Sequence, residues 1–251
     1  MKKTILVAFV ALAAFIFQSC GDGANVMTEA QASFEMKAVS GTAAPAGGRA
    51  AATGLFFTEV YAGVTEIELE TLEEQSEEEE NGGESEDEEI EFEGNFIINL
   101  LTGTSDPDFG MSELLAGVYQ EVEIEFDNIL DGGNTLVANF YFVADGTTDT
   151  TFVEFSTEEE FEIEIENEAG YVFDGGIVNS ILVTLDLDVL FGAIDFSALA
   201  VDGDGVIRIS EDSNQSVMEN IVESLEDALE AEEEDEEDDD EDEEEEDGDD
   251  E

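Results

Sequence analysis

The stretch Glu121-Val122-Glu123-Ile124-Glu125-Phe126-Asp127 alternates acidic and apolar residues without a break. A period of two belongs to a strand, whose successive side chains point to opposite faces; a helix repeats about every 3.6 residues. As a strand, this stretch puts Val122, Ile124 and Phe126 on one face and four carboxylates on the other. The pattern recurs in both directions along the chain. Ile67 and Leu69 sit between Glu66, Glu68 and Glu70, and Ile90 and Phe92 between Glu89, Glu91 and Glu93. Phe161, Ile163 and Ile165 sit between Glu160, Glu162, Glu164 and Glu166, and Phe34, Met36 and Ala38 alternate near the start. One dry face and one wet face is the signature of antiparallel sheets.

Residues 96–101, 136–143 and 181–187 are apolar on both faces and read as central strands. Turns separate the strands at Asn81-Gly82-Gly83, Asp131-Gly132-Gly133-Asn134, Asp145-Gly146 and Asp174-Gly175-Gly176. Many short strands with glycine turns predict a mainly β chain: a single antiparallel, Greek-key-like β-sandwich over residues 33–210.

Outside that pattern, the Ala- and Gly-rich residues 43–52 read as a loop, and the glutamate run 73–89 as a long acidic hairpin loop. Ser216-Val217-Met218-Glu219 has capping-box spacing. Met218, Ile221, Val222, Leu225, Ala228 and Leu229 follow at helical intervals, so residues 211–229 are expected to form a terminal helix docked on the sandwich. Residues 230–251 are almost wholly Asp and Glu; such a run has nothing to bury and is expected to be a disordered tail.

The chain carries 70 acidic residues against 5 basic ones, no His, no Trp and one Cys. Nucleic acid is excluded as a partner, because its binding depends on neutralising phosphates with Lys and Arg. Cations and basic partners are attracted. Without His, a Ser-His-Asp triad and His-ligated zinc are excluded, and a lone Cys excludes an intrachain disulfide or a Cys-based zinc cluster.

That Cys is informative through its position. Lys2 and Lys3 precede an apolar run over residues 4–17, followed by Phe17-Gln18-Ser19-Cys20. The run suits a signal peptide and is shorter than the ~20 residues of a spanning helix. A small residue before a lone Cys at the end of such a run resembles a bacterial lipobox, with Phe17 and Gln18 in place of its commoner residues. On this reading residues 1–19 are removed, the Cys20 thiol takes a diacylglyceryl group, and residues 20–32 are a lipidated tether. Two or three acyl chains (palmitate among them) anchor stably where one is marginal. The expected address is the cell envelope, the outer membrane or cell surface. The mature chain would keep 70 acids against Lys37, Arg49 and Arg208, a net charge of −67.

Three further segments follow in order: Asn99-Leu100-Leu101-Thr102-Gly103, then residues 114–121 (LLAGVYQE), then Leu182-Val183-Thr184-Leu185-Asp186-Leu187-Asp188. Together, over residues 33–197, they resemble a family of bacterial lipoprotein domains of unknown function, of the Bacteroidota type. The resemblance implies a Greek-key sandwich behind a lipoprotein signal, with Gly117 setting a turn and Tyr119 in the core. Leu115 stands where that family commonly has Pro. The resemblance implies no catalytic residues.

For chemistry, residues 200–211 (AVDGDGVIRISE) match the spacing of an EF-hand-type calcium loop. Asp202, Asp204 and Glu211 take positions 3, 5 and 12, with Gly205 at the turn, while Ala200 stands where the first carboxylate belongs. The competing reading is a plain Asp-Gly-Asp-Gly turn. A carboxylate pair for glycan hydrolysis has no identifiable members among so many acids. The expectation is therefore a non-enzymatic, lipid-anchored envelope protein that binds a basic protein or cell-surface component, modulated by Ca²⁺. The alternatives are an acidic cation-storing or charge-shielding surface lipoprotein and, more distantly, an envelope glycan hydrolase.

Overall fold

A computed structural model describes residues 29–41, 54–71, 90–144 and 149–233. Cys20 and the signal run, the loop at 43–52, the acidic loop 73–89, the turns at Asn81-Gly82-Gly83 and Asp145-Gly146, and the tail beyond 233 lie outside these residues. The fold is mainly β, with a short helical region near the C-terminal end. In chain order the strands are β1 (Glu29–Val39), β2 (Gly54–Glu70), β3 (Ile90–Asn99), β4 (Thr104–Asp106), β5 (Met111–Leu115), β6 (Gly117–Phe126), β7 (Leu136–Val143), β8 (Thr150–Thr157), β9 (Phe161–Phe173) and β10 (Val178–Asp186). Then come α1 (Leu187–Phe191), a single 3₁₀ turn (Phe196–Ala198), β11 (Ile207–Ile209), α2 (Gln215–Glu223), α3 (Leu225–Ala228) and β12 (Leu229–Glu233).

One sheet runs β12-β10-β1-β5. The other is organised by β2, whose 17 residues serve two wings. Its first half pairs with β7, which continues to β8 and β11. Its second half lies between β3 and β6, and β6 continues to β9. Most pairings are antiparallel, as the alternation predicts. Two are parallel, β1 with β10 and β8 with β11; they join strands far apart in sequence, which no local pattern reports.

The apolar faces of the two sheets form one core. Phe34 of β1 meets Phe92 of β3 edge to face at 5.4 Å between ring centres. Phe191 of α1 sits among Phe57, Phe140 and Phe155, at 5.6, 5.2 and 5.5 Å, and closes the end of the β2–β7–β8 wing. Tyr119 is buried as expected, and its hydroxyl donates to the Leu115 carbonyl at 3.0 Å. Two acids of the late motif have structural work. Asp186 caps α1 by accepting from the amides of Asp188 and Val189, and Asp188 accepts from the Gly41 amide at 2.6 Å.

The forks in β2 rest on bulges. Its register slips between Val64 and Glu66 against both neighbours: Thr65 is the extra residue against β6, while against β3 the extra residue is on β3, at Gly94-Asn95. Beside it, Gly63 admits a crossing segment: a Cβ there would lie 2.5 Å from Ile129 Cγ1 and 2.6 Å from the Asp127 carbonyl oxygen.

Three expected boundaries move. β1 begins at Glu29, so residues 29–32 of the expected tether are ladder, pairing with β5 and β10. The helix starts at Gln215 after Asn214, whose backbone is left-handed with φ 50°; Ser216 lies inside the first turn and is not the cap. The helical apolar stripe holds as far as Ala228, across a break at Ser224 between α2 and α3, with Met218, Ile221, Leu225 and Ala228 buried. Leu229–Glu233 is a strand on the edge of β10, so the tail begins four residues later than its composition suggested. Edge pairing needs only backbone groups and alternate burial, and Leu229 and Ala231 supply the inward side.

Candidate functional site: the glutamate face

The expected calcium residues come apart. Asp202 and Asp204 both grip one cation, the guanidinium of Arg208: its Nη1 lies 2.6 Å from Asp202 Oδ2 and its Nη2 2.9 Å from Asp204 Oδ2. The Arg208 Nε adds Glu154 of β8 at 2.8 Å. These hydrogen bonds hold the Asp204 carboxyl below the ordinary carboxylate range and raise the guanidinium further. Glu211 points elsewhere. Its Oε1 accepts from the Thr157 hydroxyl at 3.0 Å and the Glu158 amide at 2.6 Å, closing the end of β8. The segment between is a tight turn, with the Gly205 amide donating to the Asp202 carbonyl at 2.9 Å, and it leads into β11. The flanking elements differ from a helix–loop–helix frame: only a single 3₁₀ turn precedes the loop, β11 lies within it, and α2 begins four residues after Glu211, at Gln215. Cys20 lies outside the described residues.

The register brings together residues that the sequence left as separate solvated faces. Across β3, β2, β6 and β9 the first row is Glu93, Glu66, Glu125 and Glu162. The second is Glu91, Glu68, Glu123 and Glu164. The third is Glu70, Glu121 and Glu166. Directly paired residues share a face, so these glutamates form one carboxylate wall. Its other side is the core, where Ile67, Leu69, Val122 and Ile124 are fully buried. The described basic residues, Lys37 and Arg208, lie on β1 and β11, outside these four strands.

Like charges placed directly opposite one another across strands repel. At the centre of the wall this repulsion adds to the cost of burying charge. Partial burial, then the hydrogen bond its protonated form donates to Glu66, then the charges of Glu66, Glu123 and Glu91 push the Glu68 carboxyl up to about 7. Partial burial, with Glu162, Glu70, Glu164 and Glu121 around it, pushes Glu123 up to about 7. Glu66 and Glu121 are also raised, burial again leading. Three groups each bring three carboxylate oxygens within 4.8 Å of one another: Glu66 with Glu91 and Glu93, Glu68 with Glu70 and Glu123, and Glu121 with Glu123 and Glu164. That donor set is all hard oxygen, the type that Ca²⁺ prefers. Where the wall meets the bulge, a cavity of about 260 Å³ opens between Thr65, Glu125, Asp127, Glu160 and Glu162, beside the stacked Phe126 and Phe161 rings. Glu160 is raised there by its hydrogen bond with Asp127.

No helix among the described residues is long and apolar enough to cross a membrane. No family model, curated protein or solved structure matches the chain.

Proposed function

We propose that this is a non-enzymatic, lipid-anchored protein of the cell envelope whose binding face is the glutamate wall. The wall takes a basic partner or cell-surface component, and Ca²⁺ modulates that binding by competing for the same carboxylates. The observation that carries the reading is the register: four adjacent strands stack their glutamates in three rows on one solvent face. The hydrophobic core needs only the opposite face of those strands. The lipobox at Cys20 supports the anchor, and a charge of −65 over the whole chain is consistent with an exported surface protein. Calcium on Asp202, Asp204 and Glu211 would have to displace Arg208 and turn Glu211 away from β8; the wall requires neither. The same wall supports a second reading, cation storage or charge shielding, in which binding follows total charge and is indifferent to the rows.

The test is a Ca²⁺ titration of the whole chain at fixed ionic strength, followed by melting temperature, with Mg²⁺ as the comparison. Glu68→Gln with Glu123→Gln is expected to remove most of the Ca²⁺-specific rise. Asp202→Ala with Asp204→Ala is expected to leave it unchanged. A response unaltered by the wall substitutions favours diffuse storage and overturns the wall as the binding face.

A further inference from the structure

We infer that the open edge of β9 at residues 161–166 receives an extended segment of a partner as an added strand, one that alternates basic and apolar side chains. The inference rests on the reading of the wall as a face for cationic ligands and names the kind of partner. Within the described residues, β9 pairs along one side only, with β6. A strand edge of this kind presents a row of backbone N–H and C=O groups ready to pair. Proteins usually blunt such edges with proline, a bulge, an inward-pointing charge or a covering segment. Residues 161–166 (FEIEIE) contain no proline, their register with β6 is unbroken, and their inward positions are Phe161, Ile163 and Ile165.

Those inward side chains fit an unfinished sheet. Ile163 is buried, while Phe161 and Ile165 are only half-buried. Apolar residues on an added strand would cover them. On the outward face the same strand would lie beside Glu162, Glu164 and Glu166, one wall residue from each row. Lys or Arg at alternate positions would then face carboxylates at the spacing that cross-strand pairs require. The charge also selects the partner. A second copy of this chain would bring more glutamate to the same row and be repelled, so the edge discriminates by sign. Further along β9 the edge is engaged, because the Val172 amide donates to the Glu233 carboxylate and the Tyr171 hydroxyl donates to the Ala231 carbonyl at 3.4 Å. At the opposite side of the wall, β3 loses its alternation at Gly94-Asn95, so its edge offers a shorter matching run.

The test uses the whole chain and a synthetic peptide, acetyl-KVKVKVK-amide, at physiological salt. A second peptide has the same sequence with every backbone nitrogen methylated; it keeps the charge and cannot pair as a strand. The expected result is binding of the first peptide, slowed hydrogen exchange at alternate amides within residues 161–166, and at least about tenfold weaker binding of the second. Glu162→Gln, Glu164→Gln and Glu166→Gln together are expected to weaken the first peptide by about tenfold while the fold persists. Equal binding of the two peptides overturns the added strand and leaves the wall as a purely electrostatic face. No binding of either peptide also overturns it, and the Ca²⁺ titration then decides separately whether the wall takes cations.

Discussion

Replacing Glu68 and Glu123 with Gln should make the protein more stable at pH 8 and flatten the dependence of its stability on pH. Both carboxyls are pushed up to about 7 in the fold, from an ordinary value of 4.5. Their charged forms are therefore disfavoured in the folded state. Their contribution to stability is fully present below about pH 4.5 and is lost as pH rises through about 7. Partial burial sets this window first, and the groups that face them widen it. Glu91, Glu66 and Glu123 surround Glu68, and Glu162, Glu164, Glu70 and Glu121 surround Glu123. Both carboxyls are partly open to water, which screens these charges, so about 1 kcal/mol for each is a reasonable scale. The double variant should then gain about 2 kcal/mol at pH 8, a rise in Tm of about 4–8 °C for a domain of this size. Thermal and urea unfolding from pH 5 to pH 8 at constant ionic strength would measure it. Wild type should be more stable at pH 5.5 than at pH 8, and the variant should lose much of that difference. A wild-type protein no more stable at pH 5.5, or a double variant with an undiminished slope, would refute the crowding of charge in the wall.

Phe191→Ala should cost about 3–5 kcal/mol in urea unfolding, because three aromatic neighbours lose their common contact. Ending the chain after Glu233 should leave stability unchanged or raised at low salt, whereas ending it after Ala228 should lower Tm by several degrees through loss of buried Leu229 and the β10 ladder. Cys20→Ala should move the protein from the detergent phase to the aqueous phase on partitioning; a wild-type protein already in the aqueous phase, with a mature amino terminus other than Cys20, would refute the anchor. Arg208→Met should destabilise the 202–208 turn by leaving Asp202, Asp204 and Glu154 without their shared cation, and hydrogen exchange at Gly205 and Val206 should quicken.

The strands were legible because each alternation is a local statement. Val122, Ile124 and Phe126 announce one face of β6 from its own seven residues, and β7 and β10 announce their central places by being apolar on both sides. The helical stripe from Met218 to Ala228 was equally local. What failed needed a distant partner. Glu29–Val39 extends toward the amino terminus because β5 and β10 are there to receive it. Leu229–Glu233 looks like the start of a solvated acidic run until β10 offers it an edge. Ser216 has good capping chemistry, yet the chain enters the helix through Asn214, whose side-chain nitrogen binds the carbonyls of Ala200 and Arg208 at 3.2 and 2.6 Å. That anchoring fixes the first turn from outside it.

The candidate site shows the same division more sharply. Read as spacing, Asp202, Asp204 and Glu211 form a metal loop; the basic residue inside that spacing, Arg208, was visible in the sequence and carried the opposite message. A cation three to six residues from each carboxylate competes directly with any ion they could hold. The glutamates of β2, β3, β6 and β9 were each noted as outward-facing, and each taken alone is ordinary solvated surface. Their consequence is collective and depends on register. A slip of one residue on any one strand would turn its glutamates into the core and its Ile and Phe into water, so the apolar faces hold the four strands in the one alignment that stacks acid on acid. The wall is thus enforced by the core behind it, and its repulsion is borne by residues such as Ile67 and Ile124 on the other side of the same backbone.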